Sequence, residues 1–223
     1  GEDDATSRTR YEDKLMYDQL RVLGLQLKTE PKYLKVLNSE DARYLEKNLN
    51  SYLDAPMLSV VINFVDILAH SRSDLPILKE IAPDEPSYRS LTRSWFEHSP
   101  LYNVFKMLSQ QEVTIFLTSD HGSVRSLRGT RVIGDRETST NLRYKFGRNL
   151  KADSKHAIFV KNPKDYKLPQ RNFNLNYIIA KEDFYFVYPT NYHKYLAYYR
   201  DSFQHGGVSL EEMILPLVKL QPK

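Results

Sequence analysis

Residues 113–122 read Val-Thr-Ile-Phe-Leu-Thr-Ser-Asp-His-Gly. The part up to Thr118 is apolar and β-branched, which predicts a strand buried on both faces. Ser119-Asp120-His121-Gly122 follows at once, so a carboxylate and an imidazole lie on a loop where glycine permits a sharp turn. Enzymes with parallel sheets bind ligands just past the carboxyl ends of their strands. This stretch therefore predicts a buried strand that ends in half of a metal site.

A second apolar stretch carries a similar pair of residues. Leu58 to Phe64 (Leu-Ser-Val-Val-Ile-Asn-Phe) predicts another central strand, and Asp66 and His70 follow it. If the chain becomes helical there, the spacing of four residues places both side chains on one face, able to share a cation.

Helices are predicted between these strands, around residues 75–81, 87–97 and 100–110. Buried strands that alternate with helices indicate an α/β fold with three layers and a mostly parallel sheet flanked by helices. There is no internal repeat and no linker rich in Pro, Gly and Ser. We expect a disordered leader at residues 1–8 and one domain over residues 9–223.

Composition limits the possible metal ligands and the location of the protein. The chain has 223 residues, no cysteine and a net charge of +4, so a metal would be held by His, Asp and Glu rather than by thiolates. No apolar run approaches the roughly 20 residues that a membrane span needs. The N-terminus is acidic and polar, unlike a signal peptide, and we expect a cytoplasmic protein with no membrane contact.

A third candidate ligand lies late in the chain, in Gln204-His205-Gly206-Gly207. Each motif has a structural alternative. A lone histidine at the end of a strand is more often a polar core or surface residue, and an Asp-His-Gly turn needs no metal. Three such motifs, each at a predicted strand end or glycine turn, together favour metal binding.

The segment between residues 125 and 155 is basic. It contains nine Lys and Arg residues against three Asp and Glu residues. The excess predicts an anionic substrate, although a solvated basic loop explains it equally well. A short helix is expected near Thr140–Phe146, and Lys145 and Arg148 are the candidates for gripping a phosphate. The alternative for both is a surface position without a ligand.

The order Asp-x-x-x-His, then Ser-Asp-His-Gly, then His-Gly-Gly resembles the alkaline phosphatase superfamily. Three stretches resemble its PglZ branch: Phe-Leu-Thr-Ser-Asp-His-Gly-Ser, Arg-Tyr-Lys-Phe-Gly-Arg at residues 143–148, and the ending His-Gly-Gly-Val-Ser-Leu-Glu-Glu-Met-Ile-Leu-Pro. The resemblance runs from about residue 58 to the C-terminus. It is greatest to the PglZ output domains of PorX-type two-component response regulators.

The resemblance implies two metal sites and a reaction. Asp66, His70 and His205 would hold one metal, and Asp120 and His121 would hold the second. Zinc is the expected ion at both sites, and manganese is also acceptable. The implied chemistry is two-metal hydrolysis by a phosphodiesterase or phosphatase, with nucleotides or oligonucleotides as substrates. The implied partners are an upstream receiver domain and a second copy of the chain.

The family's Thr or Ser nucleophile is the part of the pattern that this chain does not show. Thr6, Ser7 and Thr9 lie in a charged N-terminus with no predicted strand, so we expect the nucleophile and the first strand to lie upstream. The alternative function is a non-catalytic interaction or dimerisation module that keeps the metal-binding scaffold. A sulfatase-like or phosphoglycerate mutase-like relative is a third possibility, which the PglZ-like ending disfavours.

Overall fold

A computed structural model describes residues 11–135, 138–170 and 174–222. The predicted leader at residues 1–8 lies outside these residues, as do Thr6, Ser7 and Thr9. The chain divides into two compact units. The first comprises Gly1–Val65 and Thr92–Glu112, and the second comprises Asp66–Leu91 and Val113–Lys223.

Helices and strands alternate only near the two ends of the described chain, and its middle has four successive α-helices followed by seven strands. The helices are α1 Glu12–Val22, α2 Ser39–Asn48, α3 Phe64–Asp74, α4 Pro76–Ile81, α5 Glu85–His98, α6 Pro100–Leu108, α7 Tyr192–Tyr199 and α8 Leu210–Met213. The strands are β1 Lys32–Val36, β2 Leu58–Ile62, β3 Ile115–Thr118, β4 Val124–Ser126, β5 Arg128–Arg131, β6 Tyr144–Gly147, β7 Ala157–Val160, β8 Asn176–Ala180, β9 Phe184–Val187, β10 Ser202–Gln204 and β11 Leu217–Leu220. Short 3-10 helices occupy Leu49–Tyr52 and Pro163–Tyr166. None of the described helices is long and apolar enough to cross a membrane.

The first unit packs helices against a parallel pair of strands. β1 and β2 run parallel, in a register that places Val36 opposite Ile62. The N-cap of α2 is Asn38, whose side chain accepts hydrogen bonds from the N–H groups of Glu40 and Asp41. The buried core lies between these strands and helices α2 and α6, and is formed by Val36, Ala42, Leu45, Leu49, Leu101 and Val104.

The second unit contains several small sheets. β5 and β9 pair in parallel, whereas β3 with β11 and β4 with β10 pair antiparallel. β8 is the centre of an antiparallel three-stranded sheet between β6 and β7. A buried cluster joins strands β7, β8 and β9 to Val132, and contains Val132, Ala157, Ile178, Ala180, Phe184 and Phe186.

This architecture bears out the α/β class but not every detail of the prediction. The described strands form parallel and antiparallel pairs in separate sheets, so a three-layer, mostly parallel sheet stays a prediction. The prediction that β3 is buried on both faces is wrong. Phe116 is 63% exposed, and β11, the strand that pairs with β3, is exposed along its whole length. β2 is half-buried rather than buried.

The helix expected near Thr140–Phe146 is also wrong, because residues 144–147 form strand β6. Burial alternates along β6, with Lys145 and Gly147 buried and Tyr144 and Phe146 half-buried. This period of two is the pattern of a strand. Antiparallel pairing with β8 satisfies the backbone groups that a helix would have bonded internally.

Candidate metal centre

Two of the predicted ligands lie one turn apart at the start of α3. Asp66 belongs to the first turn and His70 follows four residues later, so their side chains share one face of the helix. A carboxylate is also favoured at this position, because the unpaired N–H groups give the N-terminus of a helix a partial positive charge. α3 therefore presents a carboxylate and an imidazole side by side.

His205 closes a triangle with these two residues. The His70 and His205 Nε2 atoms are 3.2 Å apart. Asp66 Oδ1 lies 3.4 Å from the first of them and 3.6 Å from the second. Among residues 11–135, 138–170 and 174–222, this is the one group of three or more His, Asp or Glu residues close enough to hold a metal ion.

The size of the triangle fits zinc. A point equidistant from three atoms at these separations lies about 2.0 Å from each of them, which matches zinc–nitrogen and zinc–oxygen distances of about 2.0–2.2 Å. The Asp66 and His70 side chains are 44% and 50% exposed. A water molecule or a substrate oxygen can therefore reach the same point, as a catalytic zinc site requires.

Electrostatics keep the triangle in a form that binds cations. The hydrogen bond from His70 lowers the pKa of Asp66, and the nearby histidine charges add to this effect against the opposing effect of burial. Burial lowers the pKa of His205, as do the charges of His121 and His70, while Asp66 and Asp120 oppose the shift. At neutral pH Asp66 is therefore a carboxylate and His205 a neutral imidazole, the states in which both can ligate a metal.

The predicted second pair lies beside the triangle. The His121 ring stacks on the His205 ring, with centroids 3.9 Å apart and planes 13° apart. His121 Nδ1 lies 3.1 Å from the Gly122 carbonyl oxygen. A carbonyl only accepts hydrogen bonds, so Nδ1 carries the proton and Nε2 keeps its lone pair. Asp120 is 3.8 Å from that Nε2, with its side chain 90% exposed. A second site at these two residues stays a prediction.

A tightly bonded turn fixes the backbone that follows His205. Gly206 has φ +99, a value that side chains rarely adopt. The Glu212 carboxylate accepts hydrogen bonds from the N–H groups of Gly207, at 2.8 Å, and Ser209, at 3.0 Å. The Glu212 N–H in turn donates to the Ser209 hydroxyl oxygen, which completes a capping box at the start of α8.

Arg143 stabilises this turn through its hydrogen bonds to Glu212. Its Nε and Nη2 atoms lie 2.9 and 2.6 Å from the two oxygens of Glu212, and both residues are buried. A Cβ atom added at Gly207 would come within 2.3 Å of the guanidinium, so glycine is required for this close approach. Sequence reasoning missed both Arg143 and Glu212, although the Ser-x-x-Glu spacing of a capping box was visible in the sequence.

Lys145 and Arg148, the predicted phosphate ligands, have separate environments. Lys145 is 1% exposed, and its ammonium lies 4.6 Å from the centre of the Tyr188 ring. Burial lowers its pKa to about 7. Arg148 is exposed and pairs with Asp135 at 3.2 Å. On a helix the two side chains would share a face, but here Lys145 lies within β6 and Arg148 lies just past its end.

Four of the eight described cations of the basic segment form ion pairs within the protein, Arg148 among them. Arg125 pairs with Asp201, Arg128 pairs with Glu182 and Asp183, and Arg143 pairs with Glu212. Three further cations of the segment are exposed to solvent, namely Arg131, Lys151 and Lys155.

Comparison with known proteins assigns the family. No curated protein matches this chain. A family model described as the BREX system PglZ alkaline phosphatase-like domain matches residues 3–220. The match includes the three ligand segments, and it also includes Thr6, Ser7 and Thr9. Because it covers almost the whole chain, the protein belongs to the PglZ family of alkaline phosphatase-like domains.

Proposed function

We propose that this protein is a zinc-dependent phosphohydrolase that cleaves phosphodiesters in nucleotides or oligonucleotides. The observation that carries the proposal is the triangle of Asp66 Oδ1, His70 Nε2 and His205 Nε2, with sides of 3.2–3.6 Å, in a PglZ domain. A structural histidine cluster would not need an exposed carboxylate 3.4 and 3.6 Å from two imidazole nitrogens.

The residues of the triangle would hold one zinc ion and leave a position open. Bound zinc would supply a Lewis acid that polarises a phosphoryl oxygen and lowers the pKa of a coordinated hydroxyl group. Asp66 contributes the negative charge that offsets part of the charge of the ion. The turn at Gly206 and Gly207 holds His205, so the imidazole need not reorganise when the ion binds. His121 and Asp120 are the proposed ligands of a second ion.

The proposed substrate is anionic, so exposed Lys and Arg side chains are the proposed groups that bind it. Arg131, Lys151 and Lys155 are the residues to consider, since the other described cations of the basic segment are paired or buried. Lys145 is buried, so its ammonium would reach a phosphate only after the residues that cover it move.

Three finer features that the resemblance implies are also proposals. They are the three-layer sheet, the role as an output domain behind a receiver domain, and a homodimer.

Metal content measured by plasma mass spectrometry tests the site directly. We expect about one zinc per wild-type chain after zinc is supplied and excess is removed, because the triangle offers three ligands whereas Asp120 and His121 offer a second ion only two. His205→Ala should lose it. His98→Ala is the matched control, because His98 is an exposed helix residue whose Nδ1 bonds to the Ser94 carbonyl at 2.8 Å. A wild-type chain that takes up no zinc would contradict the proposed site.

Hydrolysis of bis(p-nitrophenyl) phosphate then tests the reaction. Zinc-dependent turnover that is lost in His205→Ala supports the proposal. Thr6→Ala, Ser7→Ala and Thr9→Ala show whether a hydroxyl group within the matched residues serves as nucleophile. Bound zinc with no turnover on simple or oligonucleotide diesters would instead support the alternative function, an interaction module that keeps the metal scaffold.

A further inference from the structure

Asp201 lies at the meeting point of the three segments that carry the predicted ligands. It comes four residues before His205 and has a left-handed backbone, with φ +64. Its carboxylate accepts hydrogen bonds from the guanidinium groups of Arg72 and Arg125. Its own N–H donates to the Ser126 carbonyl at 2.8 Å.

Arg72 connects this point to α3. It lies two residues after His70 and is 1% exposed. Its guanidinium bonds to the carbonyl oxygens of Ala82 at 2.7 Å and Pro83 at 3.0 Å, and to both the carbonyl and the carboxylate of Asp201. It also lies 5.1 Å from the centre of the Phe203 ring. Arg72 therefore holds the helix that carries Asp66 and His70 against β10.

Arg125 connects the same point to the segment that follows β3. It lies four residues after His121, on strand β4, and pairs with Phe203 of β10 in the antiparallel register. Its Nε atom bonds to the carboxylate of Asp201, and its Nη2 atom bonds to the Pro83 carbonyl at 3.0 Å. Both arginines therefore share the same two acceptors, Asp201 and Pro83.

We infer that Asp201 is a positioning residue for the metal centre, which sets the separation between His205 and the Asp66–His70 pair through Arg72 and Arg125. The inference rests on the proposed function. A metal site needs its ligands held within about 0.5 Å of the productive geometry. His70 on α3 and His205, the residue after β10, are 135 residues apart in sequence. One anion between two cations fixes both elements with directional hydrogen bonds.

The charge of Asp201 is suited to this role. Burial alone would raise its pKa, but the hydrogen bond from Arg125 and the charge of Arg72 outweigh burial and lower the pKa overall. Asp201 is therefore an anion at neutral pH. Asn fits the same left-handed backbone, so Asp201→Asn removes the charge without straining the turn.

Zinc affinity, measured by competition with a chromogenic chelator, tests the role of Asp201. We expect Asp201→Asn to weaken zinc binding by up to about 10-fold, the lower end of the effect of removing a group bonded directly to a ligand, because Asp201 acts through Arg72 and Arg125. We also expect a changed visible spectrum of the cobalt-substituted protein. Asp135→Asn is the matched control, because it removes another carboxylate paired with an arginine, Arg148. The control should leave both measurements unchanged.

Melting temperatures separate positioning from general destabilisation. If Asp201→Asn lowers the melting temperature too far for binding to be measured, Arg125→Gln replaces it. The Gln amide nitrogen takes the place of Nε, so it keeps a neutral hydrogen bond to Asp201 and removes the charge. A several-fold loss of affinity in that variant supports the inference. Wild-type affinity in a folded Asp201→Asn variant would overturn the inference and leave the proposed function standing, whereas a wild-type protein without zinc affinity would overturn both.

Discussion

Replacing Arg143 by Met is expected to lower the free energy of unfolding by about 3–5 kcal/mol, the usual cost of removing one partner of a buried ion pair. The structure places Arg143 at the upper end of this range. It is 0% exposed and bonds to both oxygens of Glu212, which is itself 4% exposed. Without Arg143 the buried carboxylate keeps only two backbone donors, the N–H groups of Gly207 and Ser209.

A double-mutant cycle isolates the ion pair from its surroundings. Glu212→Leu alone leaves a buried guanidinium whose remaining acceptors include the carbonyl oxygens of Phe184 and Glu182. In the double variant neither charge is buried without its partner. We therefore expect it to be about 2 kcal/mol more stable than the sum of the single effects predicts.

Urea unfolding followed by circular dichroism gives the required free energies. The control is Arg93→Met, because Arg93 and Glu97 form an exposed pair on α5 and such pairs contribute at most about 1 kcal/mol. A cost for Arg143→Met no larger than that of the control would refute the reasoning. Strict additivity in the cycle would refute it as well.

The same pair predicts a pH dependence. Burial raises the pKa of Glu212, but Arg143 and the backbone donors lower it by more, so that the net shift is downward. The unfolded chain then binds the proton more readily than the folded one. The stabilisation is therefore complete above the ordinary glutamate pKa of about 4.3 and is lost as the pH falls below it.

Three further substitutions test separate parts of the fold. Lys145 has a pKa of about 7 when folded against 10.5 ordinarily, so the unfolded chain binds more protons between these values. Stability should rise from pH 7 to 9, by up to about 1.4 kcal/mol per pH unit, and Lys145→Met should abolish the slope in urea unfolding. Gly122→Ala would place a Cβ atom 1.9 Å from the Glu211 carbonyl oxygen; because this neighbour is backbone, the melting temperature should fall by several degrees or more. Asn38→Ala removes the cap of α2 and should cost about 1 kcal/mol. Unchanged stability of Gly122→Ala or Asn38→Ala would contradict the prediction for that variant, and a slope that persists in Lys145→Met would contradict the prediction for Lys145.

The local features of this protein were predictable from its sequence. The four-residue spacing of Asp66 and His70 places them on one helical face wherever that segment is helical, and the structure shows the helix. Pro100 begins α6, as a proline in the first turn predicts. The absence of cysteine limits metal ligands to imidazoles and carboxylates. Each of these features depends on residues within one or two turns of each other.

The errors arose where burial and pairing depend on distant segments. Lys145 was predicted on a helix, yet pairing with β8 makes its segment a strand and buries its side chain. β3 was predicted to be buried because it is apolar, but apolar composition does not specify what covers a strand. Arg125 was counted with a basic surface, yet its charge is bonded to Asp201.

The sequence by itself determined the candidate ligands, the local elements that carry them and the family. Only the tertiary structure decided that His205 meets Asp66 and His70, and that Arg143 and Asp201 hold the neighbouring backbone. The physical reason is the range of the forces involved. Periodicity, caps and glycine conformations act over a few residues. The contact between His70 and His205, which are 135 residues apart, depends instead on strand pairing and buried ion pairs that no local pattern encodes.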